Sequence, residues 1–388
     1  MDRDNRLGRY EETTVGETVR AFIPPPLPPH PPIDMAPFAG SLERATQSLG
    51  QLDGVASVLP DTPLFLYMYV RKEALLSSQI EGTQSSLSDL LLFESEEAPG
   101  VPLDDVREVS NYVRAMNHGL DRLREGFPLS LRLLREIHAK LLAGGRGNEM
   151  DPGEFRRSQN WIGGTRPGNA TYVPPPPHRV LDLMGDLETF LHADTRGLST
   201  LVKAGLAHVQ FETIHPFLDG NGRLGRLLIT LVLCERGLLR EPVLYLSLYL
   251  KTHRRRYYDL LQGVRDTGDW ESWLAFFLDG VRQTADQAAS TARTILRLFE
   301  RDAARLTDLG RAATSAIRVH QLLQTKPLVR IPEAAQNLNL SQPTVSKALD
   351  TLGGLGIVHE VSGRKRGRVF VYERYLDILN EGTEPIPR

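Results

Sequence analysis

The sequence predicts a mainly α-helical protein, in which a large helical body is followed by a smaller C-terminal unit. Apolar residues recur near 3.6-residue spacing along most of the first 306 residues, and capping residues border these stretches. Before that point, β-like alternation is confined to residues 153–177, around a Gly/Pro/Asn-rich turn that favours a hairpin or flap. Near residues 307–311 the pattern restarts as a compact unit, which indicates a separate domain.

The predicted elements begin with a proline-rich stretch, FIPPPLPPHPP, at residues 22–32. Proline excludes helix and central strand there, and favours an extended arm packed on the body over a ligand for an SH3-type domain. Helical patterns then follow at 41–57, from about 64 to 95, and at 104–124, 129–143, 179–193, 198–213, 221–236, 253–264 and 270–306. We therefore predict a proline-rich arm with one helix (residues 1–60), a central domain (61–310) and a C-terminal domain (311–388).

The charge balance differs between the two parts of the chain. The 388 residues carry 46 Lys+Arg and 48 Asp+Glu, a formal net charge of −2. Residues 311–388 hold 11 Lys+Arg and 7 Asp+Glu, a net +4, which leaves −6 for the remainder. The basic surplus therefore belongs to the C-terminal unit.

The cysteine and hydropathy patterns exclude several classes of protein. A single cysteine excludes an intramolecular disulfide framework and a Cys₄ metal site, and Cys234 in LLITLVLCERG is expected to be a buried structural thiol. No apolar run approaches the ~20 residues that span a membrane. The N-terminus, MDRDNRLGRYEETTVGE, lacks the apolar region of a signal peptide, so the cytoplasm is the expected compartment.

Residues 215–226, HPFLDGNGRLGR, form a loop between two apolar helical patterns and run into the second helix. Gly220 and Gly222 permit a sharp turn with backbone N–H groups close to a ligand. Asn221 is expected to be the N-cap of the second helix, whose free N–H groups favour phosphate. Arg223 and Arg226, three residues apart, lie on one face of its first turn and suit several phosphate oxygens.

Two further side chains in this stretch carry chemistry. Asp219 supplies a hard oxygen ligand for Mg²⁺, which usually takes one or two carboxylates together with substrate phosphates. His215 titrates near neutral pH and can deprotonate a hydroxyl. Together the residues predict a site that binds a Mg-nucleotide polyphosphate and activates an attacking oxygen. The stretch GNGRLG also matches the dinucleotide fingerprint G-x-G-x-x-G, but a helix rather than a strand precedes it.

The same stretch resembles, at every defined position, the signature HxFx(D/E)GNGRxxR of the Fic (filamentation induced by cAMP) domain family. The resemblance implies a helical fold and transfer of AMP from ATP to a Ser, Thr or Tyr hydroxyl of a protein. It assigns His215 as the general base and Asp219 as the Mg²⁺ ligand. It also places the nucleotide-binding stretch at Gly220, Asn221, Gly222, Arg223, Leu224, Gly225 and Arg226, with Arg226 on the γ-phosphate.

Two other segments extend the resemblance. The stretch QNWIGGTRPGNATYVPPPP is similar to the family's flap, which would align a target segment by strand addition and cover the nucleotide. This puts Ile162, Gly163 and Gly164 closest to the ligand. HRRRYYDLL resembles the segment that closes the adenine pocket, with Tyr257 as the contact; two adjacent tyrosines on an amphipathic helix are also typical of packing.

Residues 77–82, SSQIEG, fit the family's inhibitory motif (S/T)xxxE(G/N) at Ser77, Glu81 and Gly82. Ser77 and Glu81 are four residues apart, on one face of the helical stretch. A carboxylate aimed at the anion site would pair with an arginine, by resemblance Arg226, and would occupy the place of the γ-phosphate. The alternatives are a solvated glutamate, or a glutamate that positions water to remove AMP from a modified protein.

Residues 311–376 predict helix, turn, helix and then a β-hairpin. Ser341 caps the second helix, while Val345, Ala348, Leu349 and Leu352 line its core face. This resembles a winged helix-turn-helix, in which Gln342, Thr344 and Lys347 would face DNA and a turn with Arg364, Lys365 and Arg366 would contact phosphates. Winged helices also bind proteins and form dimers, so DNA contact stays open.

Two hypotheses therefore follow from the sequence. The first is a Mg²⁺- and ATP-dependent protein adenylyltransferase, inhibited by Glu81, whose target is another protein or the chain itself. The second is a DNA-binding regulator in which the Fic-like core is a sensor or is inactive. A homodimer is expected only from the resemblance.

Overall fold

The computed structural model describes residues 6–14, 16–57, 62–94, 102–145, 147–194, 197–363 and 367–386, and only the backbone of 62–66 and 311–312. The described chain is mostly helical. The helices are α1 (Ala39–Ser57), α2 (Thr62–Ile80), α3 (Leu87–Glu94), α4 (Leu103–Arg124), α5 (Leu131–Leu141), α6 (Pro177–His192), α7 (Thr200–Ile214), α8 (Asn221–Glu235), α9 (Ser247–Thr252), α10 (Arg254–Thr267), α11 (Trp270–Thr307), α12 (Thr314–Thr325), α13 (Ile331–Leu338), α14 (Gln342–Gly354) and α15 (Glu373–Asn380). Among the described residues, no helix combines the length and low charge that crossing a membrane requires.

The central pair of helices, α7 and α8, forms the middle of the main core. Almost every residue of each helix is buried, on all sides, which is typical of helices surrounded by protein. Helices α4, α5, α10 and α11 pack around the pair, and α1 runs along α11. The loop between α7 and α8 therefore starts and ends on rigid, buried elements.

An N-terminal hairpin was missing from the sequence prediction, which gave residues 1–60 as an arm with one helix. Strands β1 (Arg9–Thr14) and β2 (Thr18–Ile23) pair antiparallel, with Arg9 opposite Ile23 and Thr14 opposite Thr18. The β2 residue Phe22 also donates its N–H to the Val173 carbonyl at 3.0 Å. The proline-rich arm that follows packs on the body, as its Pro25 carbonyl accepts from Gln210 at 2.9 Å.

The sequence predicted one continuous helix at 64–95, and this prediction is wrong, because a loop divides the stretch into two helices. Helix α2 ends at Ile80, and α3 begins only at Leu87. Gly82 has a φ of +103°, a conformation that ends a right-handed helix and that glycine adopts without strain. Glu81 therefore lies just beyond the helix end, at the start of a loop.

The flap segment is less regular than the predicted hairpin. Ile162 and Tyr172 form a single antiparallel bridge, with N–H···O distances of 2.8 and 3.1 Å. A 3₁₀ turn at Pro167–Asn169 follows closely, and both Gly163 and Gly164 have a φ of +69°. Because these backbone angles turn the chain away from an extended path, the pairing cannot continue as a ladder.

The C-terminal unit contains the elements expected from the sequence, together with one strand, β3, and one helix that were not predicted. Strands β3 (Leu328–Arg330), β4 (His359–Glu360) and β5 (Val369–Val371) form an antiparallel sheet in the order β3-β5-β4. Asn339, with a φ of +50°, ends α13, and Ser341 caps α14 by accepting the Thr344 N–H. The predicted core face of α14 is buried, at Val345, Ala348, Leu349 and Leu352. The added helix is α15, which leads into the last described residues.

Candidate active site

The loop between α7 and α8 begins at a histidine with an unusual backbone. His215 has a φ of +49° and ends α7, with its N–H bonded to the Phe211 carbonyl at 2.9 Å. A left-handed backbone at a residue other than glycine is uncommon and requires support from its surroundings. That support holds the backbone of His215 at the point where α7 ends and the loop to α8 begins.

Arg156 provides this support, and nothing in the sequence marks it. Its Nε donates to the His215 carbonyl at 2.9 Å, Nη2 donates to the Ile214 carbonyl at 3.4 Å, and its own N–H bonds the Pro216 carbonyl at 2.9 Å. One buried residue thus satisfies three successive carbonyls of the loop. Burial lowers the pKa of Arg156 to about 10, so it remains charged at neutral pH.

His138 holds the other half of the loop and was also missed. Its Nδ1 accepts the Gly153 N–H at 2.8 Å, so Nε2 carries the proton and donates to the Asp219 carbonyl at 2.9 Å. The ring stacks on Phe217 with 3.7 Å between centroids. Burial lowers the pKa of His138 to about 4, which is consistent with a neutral, structural imidazole.

Asn221 closes the loop, although it is not the N-cap that the sequence predicted. Gly220, with a φ of +76°, occupies the cap position, and Asn221 is the first helical residue. The Asn221 side chain accepts the Phe217 N–H at 2.9 Å and donates to the Phe217 carbonyl at 2.8 Å. This paired contact fixes the turn and leaves the N–H groups at the start of α8 directed outward.

Asp219 and Arg223 lie together beside this helix start. Arg223 is buried and forms an ion pair with Glu108 on α4, at 3.1 Å, and its Nη2 lies 3.6 Å from Asp219 Oδ2. The Asp219 side chain is 40% exposed, so its oxygens are accessible to a ligand. Among the described residues, no group of three or more His, Cys, Asp or Glu side chains could hold a metal by itself. A single accessible carboxylate fits Mg²⁺ that takes its other ligands from phosphates and water.

Arg226 contacts all of the predicted inhibitory elements except Gly82. Its Nε donates to Ser77 Oγ at 2.9 Å, and its Nη2 donates to the Ser77 carbonyl at 2.9 Å and to Glu81 Oε1 at 2.7 Å. The Arg226 side chain is buried, whereas one third of the Glu81 side chain is exposed. A Cβ atom added at Gly222 would lie 2.2 Å from Glu81 Oε1, so the carboxylate sits directly on the helix start.

Burial and the Glu81–Arg226 ion pair determine the pKa values of the titratable groups in the site. Burial alone would raise the pKa of Glu81, but Arg226 outweighs it and the pKa of Glu81 is lowered. Burial lowers the pKa of His215 to about 3, with Arg156 and Arg265 acting in the same direction. The imidazole is therefore neutral at physiological pH and can accept a proton.

Behind the site, the buried carboxyl of Glu212 touches the backbone of α8. A Cβ at Gly225 would lie 2.4 Å from Glu212 Oε1, which explains why glycine is required at this position. Burial raises the pKa of Glu212 to about 7, against the opposing charge of Arg226. Leu224, the residue before Gly225, is fully buried and contributes packing.

Tyr257 lies in the core and not at the mouth of the site. It is 1% exposed, its hydroxyl lies 2.9 Å from His208 Nε2, and its ring packs against Trp273. The adjacent Tyr258 is 38% exposed, and burial raises its pKa, as does the charge of Glu81. Of the two adjacent tyrosines, Tyr258 is therefore the accessible one.

The remaining predicted residues lie in two places. Ile162, Gly163 and Gly164 are in the flap, where added Cβ atoms would lie 2.4 Å from Thr171 Oγ1 at Gly163 and from the Asn169 carbonyl at Gly164. Gln342 and Lys347 are exposed on α14, and Thr344 Oγ1 lies 2.8 Å from Ser341 Oγ. The predicted DNA contacts Arg364, Lys365 and Arg366 lie outside the described residues.

Two segments of the chain match models of known protein families. Residues 39–121 match the Fic/DOC family N-terminal model, and residues 128–233 match the Fic/DOC family model. The two segments thus match Fic/DOC family domains: Glu81 lies within the first segment, and the flap, the start of α8 and Arg226 lie within the second.

Curated relatives carry the name Protein adenylyltransferase Fic. The relative from Aedes aegypti is 32% identical over 253 residues, which cover 63% of this chain and 47% of the relative. The relative from Culex quinquefasciatus is 33% identical over 211 residues, covering 53% of this chain and 39% of the relative. The chain therefore spans about half the length of these relatives, or less.

Solved structures support the helical fold. A Fic family protein from Desulfovibrio desulfuricans aligns with a TM-score of 0.54 at 21% identity, over 86% of this chain and 95% of that protein. A Fic domain containing signaling protein from Bacteroides thetaiotaomicron aligns with a TM-score of 0.52 at 19% identity, over 65% of this chain and 98% of that protein. At these identities the similarity shows the fold alone, and it confirms the predicted mainly helical architecture.

Proposed function

We propose that this chain is a protein adenylyltransferase, which transfers AMP from ATP to a Ser, Thr or Tyr hydroxyl of a protein and which Glu81 inhibits. The observation that carries the proposal is the Glu81–Arg226 pair on the α8 start, because a carboxylate there occupies an anion site that the sequence assigns to phosphate. The names of the relatives support the same reaction. The target is another protein or the chain itself.

The residues suit each requirement of the reaction. The target hydroxyl loses its proton to His215, its oxygen bonds to the α-phosphorus, and the bond to the leaving pyrophosphate breaks. Negative charge develops on the phosphate oxygens, and it would be stabilised by Arg223, Arg226 and the N–H groups at the start of α8. Asp219 would hold Mg²⁺, which supplies additional positive charge to the phosphates when bound.

A single pair of variants tests the activity. Purified Glu81→Gly protein is incubated with Mg²⁺ and α-labelled ATP, and label on protein is measured beside the double variant Glu81→Gly/His215→Ala. We expect label only while His215 is present. Equal labelling of both proteins, or label from γ-labelled ATP, would contradict AMP transfer by this histidine. Mass spectrometry of the labelled protein then locates the adduct. The labelled protein, returned to wild-type enzyme, tests whether Glu81 also promotes removal of AMP.

The C-terminal unit supports a second proposal, a winged helix-turn-helix that binds DNA. Helices α13 and α14 are joined by a short turn at Asn339, and the three-stranded sheet follows them. Gln342 and Lys347 are exposed on α14, the second helix of this pair. Binding of the full chain to duplex DNA that weakens steeply with added salt would support the proposal, and salt-independent binding to a protein would favour an interaction module.

A further inference from the structure

The last described residues of the chain run back over the helix that carries the inhibitory motif. After α15 the backbone turns at Thr383, whose N–H and hydroxyl both donate to the Asn380 carbonyl, at 2.9 and 2.8 Å. Residues 381–386, called the tail below, then contact α2 on one side and α9 on the other. The tail therefore lies in a groove between these two helices.

Side-chain donors from both walls hold the backbone of the tail. From α2, Lys72 Nζ donates to the Glu381 carbonyl at 2.8 Å, and Gln79 Nε2 donates to the Thr383 carbonyl at 2.8 Å. From α9, Lys251 Nζ donates to the Gly382 carbonyl at 3.3 Å and to the Glu384 carbonyl. Successive carbonyls of residues 381–384 thus bind donors of the two walls alternately, so both helices hold the same short segment.

Two residues of the tail, Gly382 and Thr383, pack closely against the walls of the groove. A Cβ added at Gly382 would lie 2.8 Å from Leu248 Cδ1, and the φ of Gly382 is +77°. Thr383 is buried, as are its partner Gln79 and the donor Lys72. Buried donors of this kind require acceptors, and the tail carbonyls provide them.

The groove is connected to Glu81 through Gln79. The Gln79 amide that binds the tail also donates to the Ser85 carbonyl at 2.9 Å, in the loop that follows Glu81. Ser77 and Glu81, on either side of Gln79 in sequence, contact Arg226. One end of α2 therefore has the tail on one face and the phosphate-site arginine on the other.

We propose that this groove is a binding site for a short peptide segment, that the chain's own tail is its occupant, and that the occupied groove holds the end of α2 where Glu81 pairs with Arg226. The effect on inhibition rests on the proposed adenylyltransferase function, whereas the effect on the position of α2 does not.

Three variants test this proposal, each compared with wild type and with Glu81→Gly. A chain that ends at Asn380 lacks the tail, and a chain that ends at Ile386 is its matched control. Lys72→Met, in the full chain, removes one donor and keeps the Gln79–Ser85 bond. Amide hydrogen exchange of residues 77–86 and labelling by α-labelled ATP are measured for each protein, after circular dichroism has shown that the helical content is retained.

We expect exchange in residues 77–86 and labelling to rise by about tenfold in the chain ending at Asn380, because two hydrogen bonds to α2, one buried and one partly buried, are lost. Lys72→Met should show a smaller rise in both, and the chain ending at Ile386 should match wild type. Unchanged exchange without the tail would overturn the proposal. If exchange rises while Glu81→Gly itself stays unlabelled, the groove is supported and the adenylyltransferase function is the part that fails. If Glu81→Gly is labelled but exchange and labelling without the tail equal wild type, the groove proposal alone is wrong.

Discussion

Replacing Glu81 with glycine removes the carboxylate that pairs with Arg226 at 2.7 Å. A hydrogen bond between charged groups contributes about 1.5–3 kcal/mol net. One third of the Glu81 side chain is exposed, so solvent screens part of the attraction, and we take a value of about 2 kcal/mol within that range. Because each 1.36 kcal/mol corresponds to a factor of ten, the labelling rate with subsaturating Mg-ATP should increase by about 30-fold.

A second variant separates the charge of Glu81 from its volume. In Glu81→Gln the charge is lost, but an amide of the same size still sits where a Cβ on Gly222 would lie 2.2 Å away. We expect a smaller rise than in Glu81→Gly, because the amide continues to fill the phosphate position. Glu43→Gly makes the same chemical change on the exposed face of α1 and should leave labelling unchanged.

The assay is transfer of label from α-labelled ATP to protein, measured at several ATP concentrations. The inhibitory reading requires the gain in Glu81→Gly to appear mainly at low ATP, since Glu81 and the γ-phosphate compete for Arg226. A labelling rate equal to wild type at every ATP concentration would refute the reasoning. A gain of the same size in Glu43→Gly would show that the effect is not specific to the Arg226 pair.

Two other predictions concern pH. In Glu81→Gly, kcat/KM should not fall as pH drops through 6.5. Burial lowers the pKa of His215 to about 3, so the base stays deprotonated until the pH approaches that value. A fall in kcat/KM at the ordinary histidine pKa would contradict the burial argument. Glu212→Gln should become more stable relative to wild type as pH rises from 5 to 8. Because the pKa of Glu212 is raised to about 7 in the folded protein, its protonated carboxyl contributes stability below the ordinary pKa of 4.5, and this contribution is lost as pH rises through 7. The loss in wild type is about 1–3 kcal/mol, which Tm measurements of both proteins at pH 5 and pH 8 would detect.

The helices of the body could be predicted because their signal is local. The patterns at 198–213 and 221–236 agree closely with α7 (Thr200–Ile214) and α8 (Asn221–Glu235), because each is a long, largely apolar stretch that begins at a capping residue, Ser199 or Gly220. The N-terminal hairpin gave no such signal. Strand β1 reads RYEETT and has no buried residue, so its alternation carries no apolar face, and its position depends on pairing with β2.

Some residues of the site carry a local sequence signal and others do not. The side chains that the sequence assigns to phosphate lie in one contiguous stretch, so their spacing alone predicts an anion site at the start of α8. Arg156 and His138 act on backbone carbonyls at His215 and Asp219, 59 and 81 residues away in sequence. No local pattern marks such a contact, because any buried polar side chain at the right place in the fold could make it. The burial of Tyr257 has a similar cause, since the pattern of residues predicts helix α10 but not which elements of the fold pack against its tyrosines.

The geometry of Arg226 constrains how the inhibition can be relieved. The same guanidinium pairs with Glu81 and, under the proposed function, would bind the γ-phosphate, so any change that weakens its charge or position weakens both interactions. Relief that preserves ATP binding must therefore act on the position of Glu81. Glu81 lies one residue beyond α2, whose last turns are held by Ser77 on the Arg226 side and by Gln79 on the tail side. The contact with Ser77 depends on Arg226 itself. The groove that binds the tail is thus a place where the inhibitory carboxylate can be moved while the phosphate site stays intact.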